Sequence, residues 1–223
     1  SDVVCDKRDL KITKISEIEA LTIEDKEWLE KNLIYMRSDV NQSLLGICWA
    51  LGRFHTQGTY PILEVSGTTS IGKTEYVEFI SRLLFGGREN IKSLSTLSNH
   101  QIRSFSSCSN ITPWAIDEVK ITGKFQLEKM NDLYSTIRSV YDNKIINQGN
   151  TTNKLAEFHL CTPLIISGET KLSDVSIQNR MISTSLTKKN KGDFEIYKKL
   201  KNSDILEKLG KTALMDRLEN GVI

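Results

Sequence analysis

Gly67-Thr68-Thr69-Ser70-Ile71-Gly72-Lys73-Thr74 fits G-x-x-x-x-G-K-[ST], the pattern of a loop that holds phosphates. Each fixed position has a physical task. Glycines let successive backbone N–H groups curl around an anion. Lys73 carries a cation to the β and γ phosphates, and the Thr74 hydroxyl is suited to ligate Mg²⁺. A chain of this length meets the pattern by chance only about 1% of the time. Its surroundings agree with it. Residues 60–66, Tyr-Pro-Ile-Leu-Glu-Val-Ser, read as a short strand entering the loop. Tyr76, Val77, Phe79, Ile80, Leu83 and Leu84 then recur at helical spacing. A helix that starts at Lys73 turns its N-terminus towards the bound anion.

The chain has three prolines, and each opens a short apolar run: Pro61, Pro113 and Pro163. Proline is tolerated at the first residue of a strand. Each run ends in polar residues: the phosphate loop, Asp117-Glu118, and Ser167-Gly168-Glu169. Helical stretches are expected between them, at about 73–85, 98–107 and 125–142. Alternating strand and helix predicts a parallel α/β sheet, and such sheets bind ligands at the carboxyl ends of their strands. An aspartate beside a phosphate loop can hold Mg²⁺ directly or through water. The adjacent Glu118 can orient and deprotonate an attacking water. A phosphotransferase has no use for that second carboxylate.

Outside this core the signals are weaker. Residues 1–20 are mixed and charged and read as a tail. Thr22 and Asp25 form a capping pattern that opens a helix over 23–36. A second helix is expected over 41–55, with Leu44, Leu45, Cys48, Leu51 and Phe54 as its apolar stripe. Residues 143–147 and 154–160 read as two strands around the turn-forming stretch Gln148-Gly149-Asn150-Thr151-Thr152-Asn153. The lysine-rich stretch after residue 187 reads as a solvated helix face, with an electrostatic contact to DNA as the alternative, and residues 203–219 as a helix and small lid. The expected division is 1–58 for a tail and helical layer, 59–190 for the core with a hairpin insertion at about 143–160, and 191–223 for a short helical end.

A net charge of +2 and a pI near 8.2 exclude a strongly cationic nucleic-acid coat protein, while leaving room for a local basic patch. No run of 18 apolar residues is present, so no membrane span is expected. The four cysteines, Cys5, Cys48, Cys108 and Cys161, lack zinc spacing and fit free thiols in a reducing cytoplasm.

With these residues the chain resembles AAA+ P-loop ATPases. More narrowly, it is similar to the helicase domains of phage and mobile-element replication proteins, the superfamily 3-like primase-helicases and replication initiators. The resemblance covers roughly residues 40–187. It rests on residues 67–74, on Ile116-Asp117-Glu118, on Leu164-Ile165-Ile166-Ser167 with Gly168-Glu169, and on Arg180. It implies a parallel sheet flanked by helices, with ATP as substrate and Mg²⁺ held by Thr74 and Asp117. Ser167 falls where relatives place a polar sensor, often asparagine, and Glu169 is a second polar group there. Arg180 falls where a ring-forming ATPase supplies an arginine finger to its neighbour. The hairpin falls where DNA-translocating relatives reach into a ring channel, which makes Lys154 and Lys144 the phosphate-contacting residues. The implied assembly is a homo-oligomeric ring, such as a hexamer, around single-stranded DNA. The chain begins and ends abruptly, as an excised helicase domain would. Two other activities use the same loop: an AAA+ loader that grips a protein without unwinding DNA, and a phosphotransferase.

Overall fold

Five parallel strands make the central sheet of the computed structural model, which describes residues 10–37, 39–56, 58–119, 124–149, 155–187 and 193–220. Two helices come first, α1 (Ile23–Asn32) and α2 (Val40–Gly52). The core then alternates: β1 (Ile62–Ser66), α3 (Lys73–Arg82), β2 (Ile91–Ser93), α4 (Asn99–Phe105), β3 (Trp114–Val119) and α5 (Lys124–Tyr141). A hairpin follows, β4 (Ile145–Gly149) with β5 (Leu155–His159). The chain continues as β6 (Leu164–Gly168), α6 (Val175–Gln178), β7 (Met181–Ser185), α7 (Phe194–Asn202) and α8 (Ile205–Asn220). The order across the sheet is β2-β3-β6-β1-β7. The prolines stand immediately before β1, β3 and β6, as expected. The strand after the phosphate loop's helix, β2, is not the loop strand's neighbour; β3 and β6 both lie between it and β1.

Alternation along the strands divides the interior in two. Leu63, Val65, Ala115 and Ile165 face α3 and join one apolar cluster. Ile62, Trp114, Ile116, Leu164 and Ile166 face the other way and pack with Ile102 of α4 and Leu133 and Ile137 of α5. Each fully buried aliphatic side chain of this kind stabilises by about 1.5–3 kcal/mol. The first cluster also takes in Leu29 of α1, Ile47 of α2, Leu200 of α7 and Leu206 of α8. That cluster therefore runs from the N-terminal helical layer along one face of the sheet to the C-terminal helices.

Glu64 breaks the apolar pattern of β1. It is only 2% exposed. Its Oε1 accepts from the Leu172 backbone N–H at 2.6 Å, and its Oε2 accepts from the Ser183 hydroxyl at 2.6 Å. Both oxygens are thus committed, which is the condition for burying a carboxylate.

Three expectations about the flanks need correction. The part of 1–20 that is described packs on the core: the Thr13 N–H donates to the Phe85 carbonyl, and Lys11 exchanges backbone bonds with the Asn90 amide. The predicted 23–36 helix has the Thr22–Asp25 capping box but ends at Asn32, with a 3₁₀ turn over Leu33–Met36. The C-terminal helices pack against α3 as part of the core. Gly210 of α8 lies so close to the Leu83 carbonyl that a Cβ there would collide with it. Arg82 of α3 forms a bidentate pair with Glu207 at 2.6 and 2.8 Å and also donates to the Leu200 and Ser203 carbonyls. Both side chains of that pair are nearly nine-tenths buried.

Candidate nucleotide site

The parallel sheet brings the ends of β1, β2, β3 and β6 to one edge. The phosphate loop leaves β1 there and enters α3. Gly67 has φ 151°, and a Cβ on it would lie 2.6 Å from the Leu186 carbonyl oxygen. No other residue fits that approach. Ser70, with φ 60°, takes the left-handed conformation without being glycine, a strain found where structure over-determines a functional loop.

Lys73 is folded back onto the loop. Its ammonium donates to the carbonyls of Gly67 at 2.7 Å and Thr68 at 2.9 Å. Both acceptors are backbone carbonyls of the loop itself. Thr74 Oγ1 donates to Asp117 Oδ2 at 3.1 Å. Residues from separate runs of sequence thus present a hydroxyl and a carboxylate at one point. Hard oxygen donors in such small number suit Mg²⁺, which takes the rest of its shell from water and phosphate. Among the described residues no cluster of three or more His, Cys, Asp or Glu forms a metal cage, and the two-donor arrangement does not require one.

Glu118 occupies a bulge. The β3–β6 register shifts between Ile116 and Val119, and Glu118 has φ 59°. Bulges re-aim side chains beside active sites. Here the bulge exposes Glu118, and its Oε2 accepts from the Ser93 hydroxyl at 2.8 Å. The Asp117 carboxylate accepts from the Glu118 backbone N–H at 2.8 Å. Ser93 ends β2, a three-residue edge strand that the periodicity of the sequence does not reveal.

Arg37 is a second residue without a sequence signal. It is 5% exposed and follows the 3₁₀ turn of the N-terminal layer. Its Nη1 donates to the Ile71 carbonyl in the phosphate loop at 3.1 Å, and its Nη2 to the Thr187 carbonyl beyond β7 at 3.3 Å. Burial pushes its pKa down. Beside it a cavity of about 580 Å³ opens against Ser70–Gly72 and is walled by Met36, Phe79 and Tyr197. Apolar and aromatic walls next to a phosphate loop suit the base and sugar of a nucleotide.

The remaining predicted residues are distributed differently. Ser167 is fully buried on the side of the sheet facing α3, and its hydroxyl has no hydrogen-bond partner among the described residues. Glu169, one residue beyond β6, accepts from the Thr69 hydroxyl of the phosphate loop at 3.3 Å. Arg180 lies at the opposite edge of the sheet: its carbonyl accepts from the Ile62 N–H, where β1 begins. At about 3.3 Å per residue, β1 puts it about 17 Å from the loop of its own chain. Its guanidinium donates to the Ser176 carbonyl, approaches Asp142 at 4.0 Å and stands over the Tyr141 ring. Lys144 is at the base of the hairpin, paired with Asp142 at 2.8 Å. That ion pair lowers the Asp142 pKa. Lys154 lies outside the described residues, as does the turn from 150 to 153.

Solved structures share this fold. One is described as the active helicase Cch of SCCmec type IV; it is 13% identical, with a TM-score of 0.56 over 90% of this chain and 39% of that one. Another is the apo C-terminal region (305–718) of NrS-1; it is 14% identical, with a TM-score of 0.52 over 92% of this chain and 50% of that one. The fold is that of a P-loop NTPase, a five-stranded parallel sheet flanked by helices. This chain spans half or less of the length of those proteins. No protein-family model matches it, and no curated protein does. No helix among the described residues is long and apolar enough to cross a membrane.

Proposed function

We propose that this chain is the ATP-hydrolysing motor of a DNA helicase or translocase that serves replication of a phage or mobile element. The observation that carries the reading is the Thr74–Asp117 contact, with Glu118 next in sequence and exposed at the same edge. It joins the phosphate loop to a strand bearing two carboxylates, the apparatus for cleaving a phosphoanhydride with water.

In this reading Lys73 exchanges its two carbonyl partners for β and γ oxygens. Thr74 and Asp117 would hold Mg²⁺, which would supply neutralisation of the charge on those oxygens. Glu118 accepts a proton from water as the water oxygen bonds to the γ phosphorus. The bond from phosphorus to the β–γ bridging oxygen breaks, and ADP leaves with that electron pair. The walls at Met36, Phe79 and Tyr197 take the base. Arg180, far from its own loop, suits a finger directed at the next subunit of a homo-oligomeric ring. The hairpin, with Lys144 and Lys154, suits a contact with single-stranded DNA in the channel of that ring.

The test is turnover with and without single-stranded DNA, beside nucleotide binding. Lys73→Ala should abolish hydrolysis and weaken binding. Glu118→Gln should bind ATP and fail to cleave it, since only water activation is lost. Wild-type hydrolysis in either variant would sink the site. Stimulation by DNA supports the motor; its absence, with hydrolysis intact, favours a loader.

A further inference from the structure

Glu75 follows the phosphate loop's threonine in α3 and lines the cavity of about 580 Å³ that opens beside the loop. It is half-buried, and its Oε2 lies 3.8 Å from where a Cβ on Gly72 would stand. Among the described residues no hydrogen bond or ion pair engages its carboxylate. A helix N-terminus favours an acidic residue anywhere in its first turn, but that preference does not choose the side that faces a cavity. Arg37 lies against the same glycine, its Nη1 3.6 Å from that Cβ position. Its Nε is buried without a hydrogen-bond partner among the described residues, and such an orphan in a cavity wall marks a polar site left incomplete. The guanidinium charge also offsets that of Glu75, which makes a carboxylate tolerable beside a loop for phosphates.

The order of groups along α3 indicates what would meet this carboxylate. Lys73 and Thr74 stand at the phosphate end. Phe79, four residues after Glu75, lies on the same helix face about 5–6 Å further on and walls the cavity with Tyr197. A nucleotide presents its parts in the same sequence: phosphate, sugar, base. With the base against Phe79 and Tyr197, the sugar falls at Glu75. An ionised carboxylate only accepts hydrogen bonds, and the 2′ and 3′ hydroxyls of ribose are two neighbouring donors. We infer that Glu75 reads the sugar: it accepts from the ribose hydroxyls, so the site prefers ribonucleotides to 2′-deoxyribonucleotides. The inference rests on the nucleotide reading above and adds a sugar class to it. A deoxyribose leaves one carboxylate oxygen without its donor. A motor with this preference spares the deoxynucleotides that DNA synthesis consumes.

The experiment is calorimetric binding of Mg²⁺-ADP and Mg²⁺-2′-deoxy-ADP to wild type, Glu75→Ala and Glu75→Gln; neither ligand is consumed. Wild type should bind ADP on the order of tenfold more tightly than its deoxy counterpart. That is well short of the roughly 10⁴-fold of a fully enclosed hydroxyl site, because water reaches half-buried Glu75. Glu75→Ala should bring the two affinities together. Glu75→Gln keeps one acceptor oxygen without the charge and should fall between. Binding of the deoxynucleotide by a variant shows that it is folded. Equal affinities in wild type, or a wild-type ratio in Glu75→Ala, would each overturn the sugar reading. If wild type binds neither nucleotide, the nucleotide site itself fails, which is a different result from binding both equally.

Discussion

Ser93 Oγ donates to Glu118 Oε2 at 2.8 Å, so the carboxylate that we propose activates water is engaged by the neighbouring edge strand. A carboxylate that accepts a hydrogen bond is a weaker base than one released from it. Ser93→Ala should therefore raise DNA-independent ATP turnover several-fold, a small part of the roughly 10²–10⁴-fold that a positioned general base contributes. Steady-state turnover of the two proteins tests it; identical rates would mean that Ser93 does not restrain Glu118.

Arg37 ties the phosphate loop to the chain beyond β7 through two carbonyls. Removing a buried, charged donor costs about 1.5–3 kcal/mol. Arg37→Met should lose stability of that order and raise KM for ATP, because Ile71 loses its support. Arg37→Lys should rescue poorly, since an ammonium lacks the planar fork that spans two acceptors. Chemical denaturation beside KM measurement checks both, and full rescue by lysine would discard the two-point clamp.

Breaking one partner of a buried ion pair typically costs about 3–5 kcal/mol. Arg82→Ala leaves Glu207 buried and uncompensated, so the variant should lose about that much in urea unfolding. The double variant Arg82→Leu/Glu207→Leu should recover most of it. A loss below about 1 kcal/mol would rank this pair with exposed ones.

Arg180 cannot serve the loop of its own chain across the length of β1. Subunits carrying Arg180→Ala and subunits carrying Lys73→Ala, each inactive alone, should regain partial ATPase activity when co-assembled. Each mixed interface of one orientation then has both residues intact. No recovery in assemblies shown to be mixed by native mass spectrometry would remove Arg180 from catalysis.

The sheet's central strands were legible because strands buried on both faces read as continuous apolar runs; β1, β3 and β6 each follow a proline in that form. Its two edge strands were not. Met181–Ser185 pairs only with β1 and stays half-exposed over its first three residues, and Ile91–Ser93 pairs only with β3. Their polar composition is that of an edge, and it resembles loop sequence. Ser93 was missed for the same reason. Arg37 acts through backbone carbonyls brought together by folding, which leave no trace in a pattern of side chains. The described residues of the N-terminal stretch dock through buried Leu10 and Ile18 and through bonds from their backbone to Phe85 and Asn90, so the charged residues between disguised their packing. The phosphate loop was fully legible, since there the chemistry dictates residue type and spacing together.

Glu64 bears on how the sheet finds its alignment. A strand of apolar side chains can slide past its parallel neighbours by two residues and still bury the same faces. With Glu64 in the middle of β1, such a slip would separate its oxygens from the Leu172 N–H and the Ser183 hydroxyl and leave a bare charge in the interior, at a cost of several kcal/mol. Glu64→Leu would remove that penalty. The variant should then populate misaligned forms during refolding, seen as extra kinetic phases, even if its equilibrium stability is little changed; a single phase at the wild-type rate would argue otherwise. If the extra phases appear, the carboxylate is a proofreader of folding, one that makes the nearest wrong minima uninhabitable.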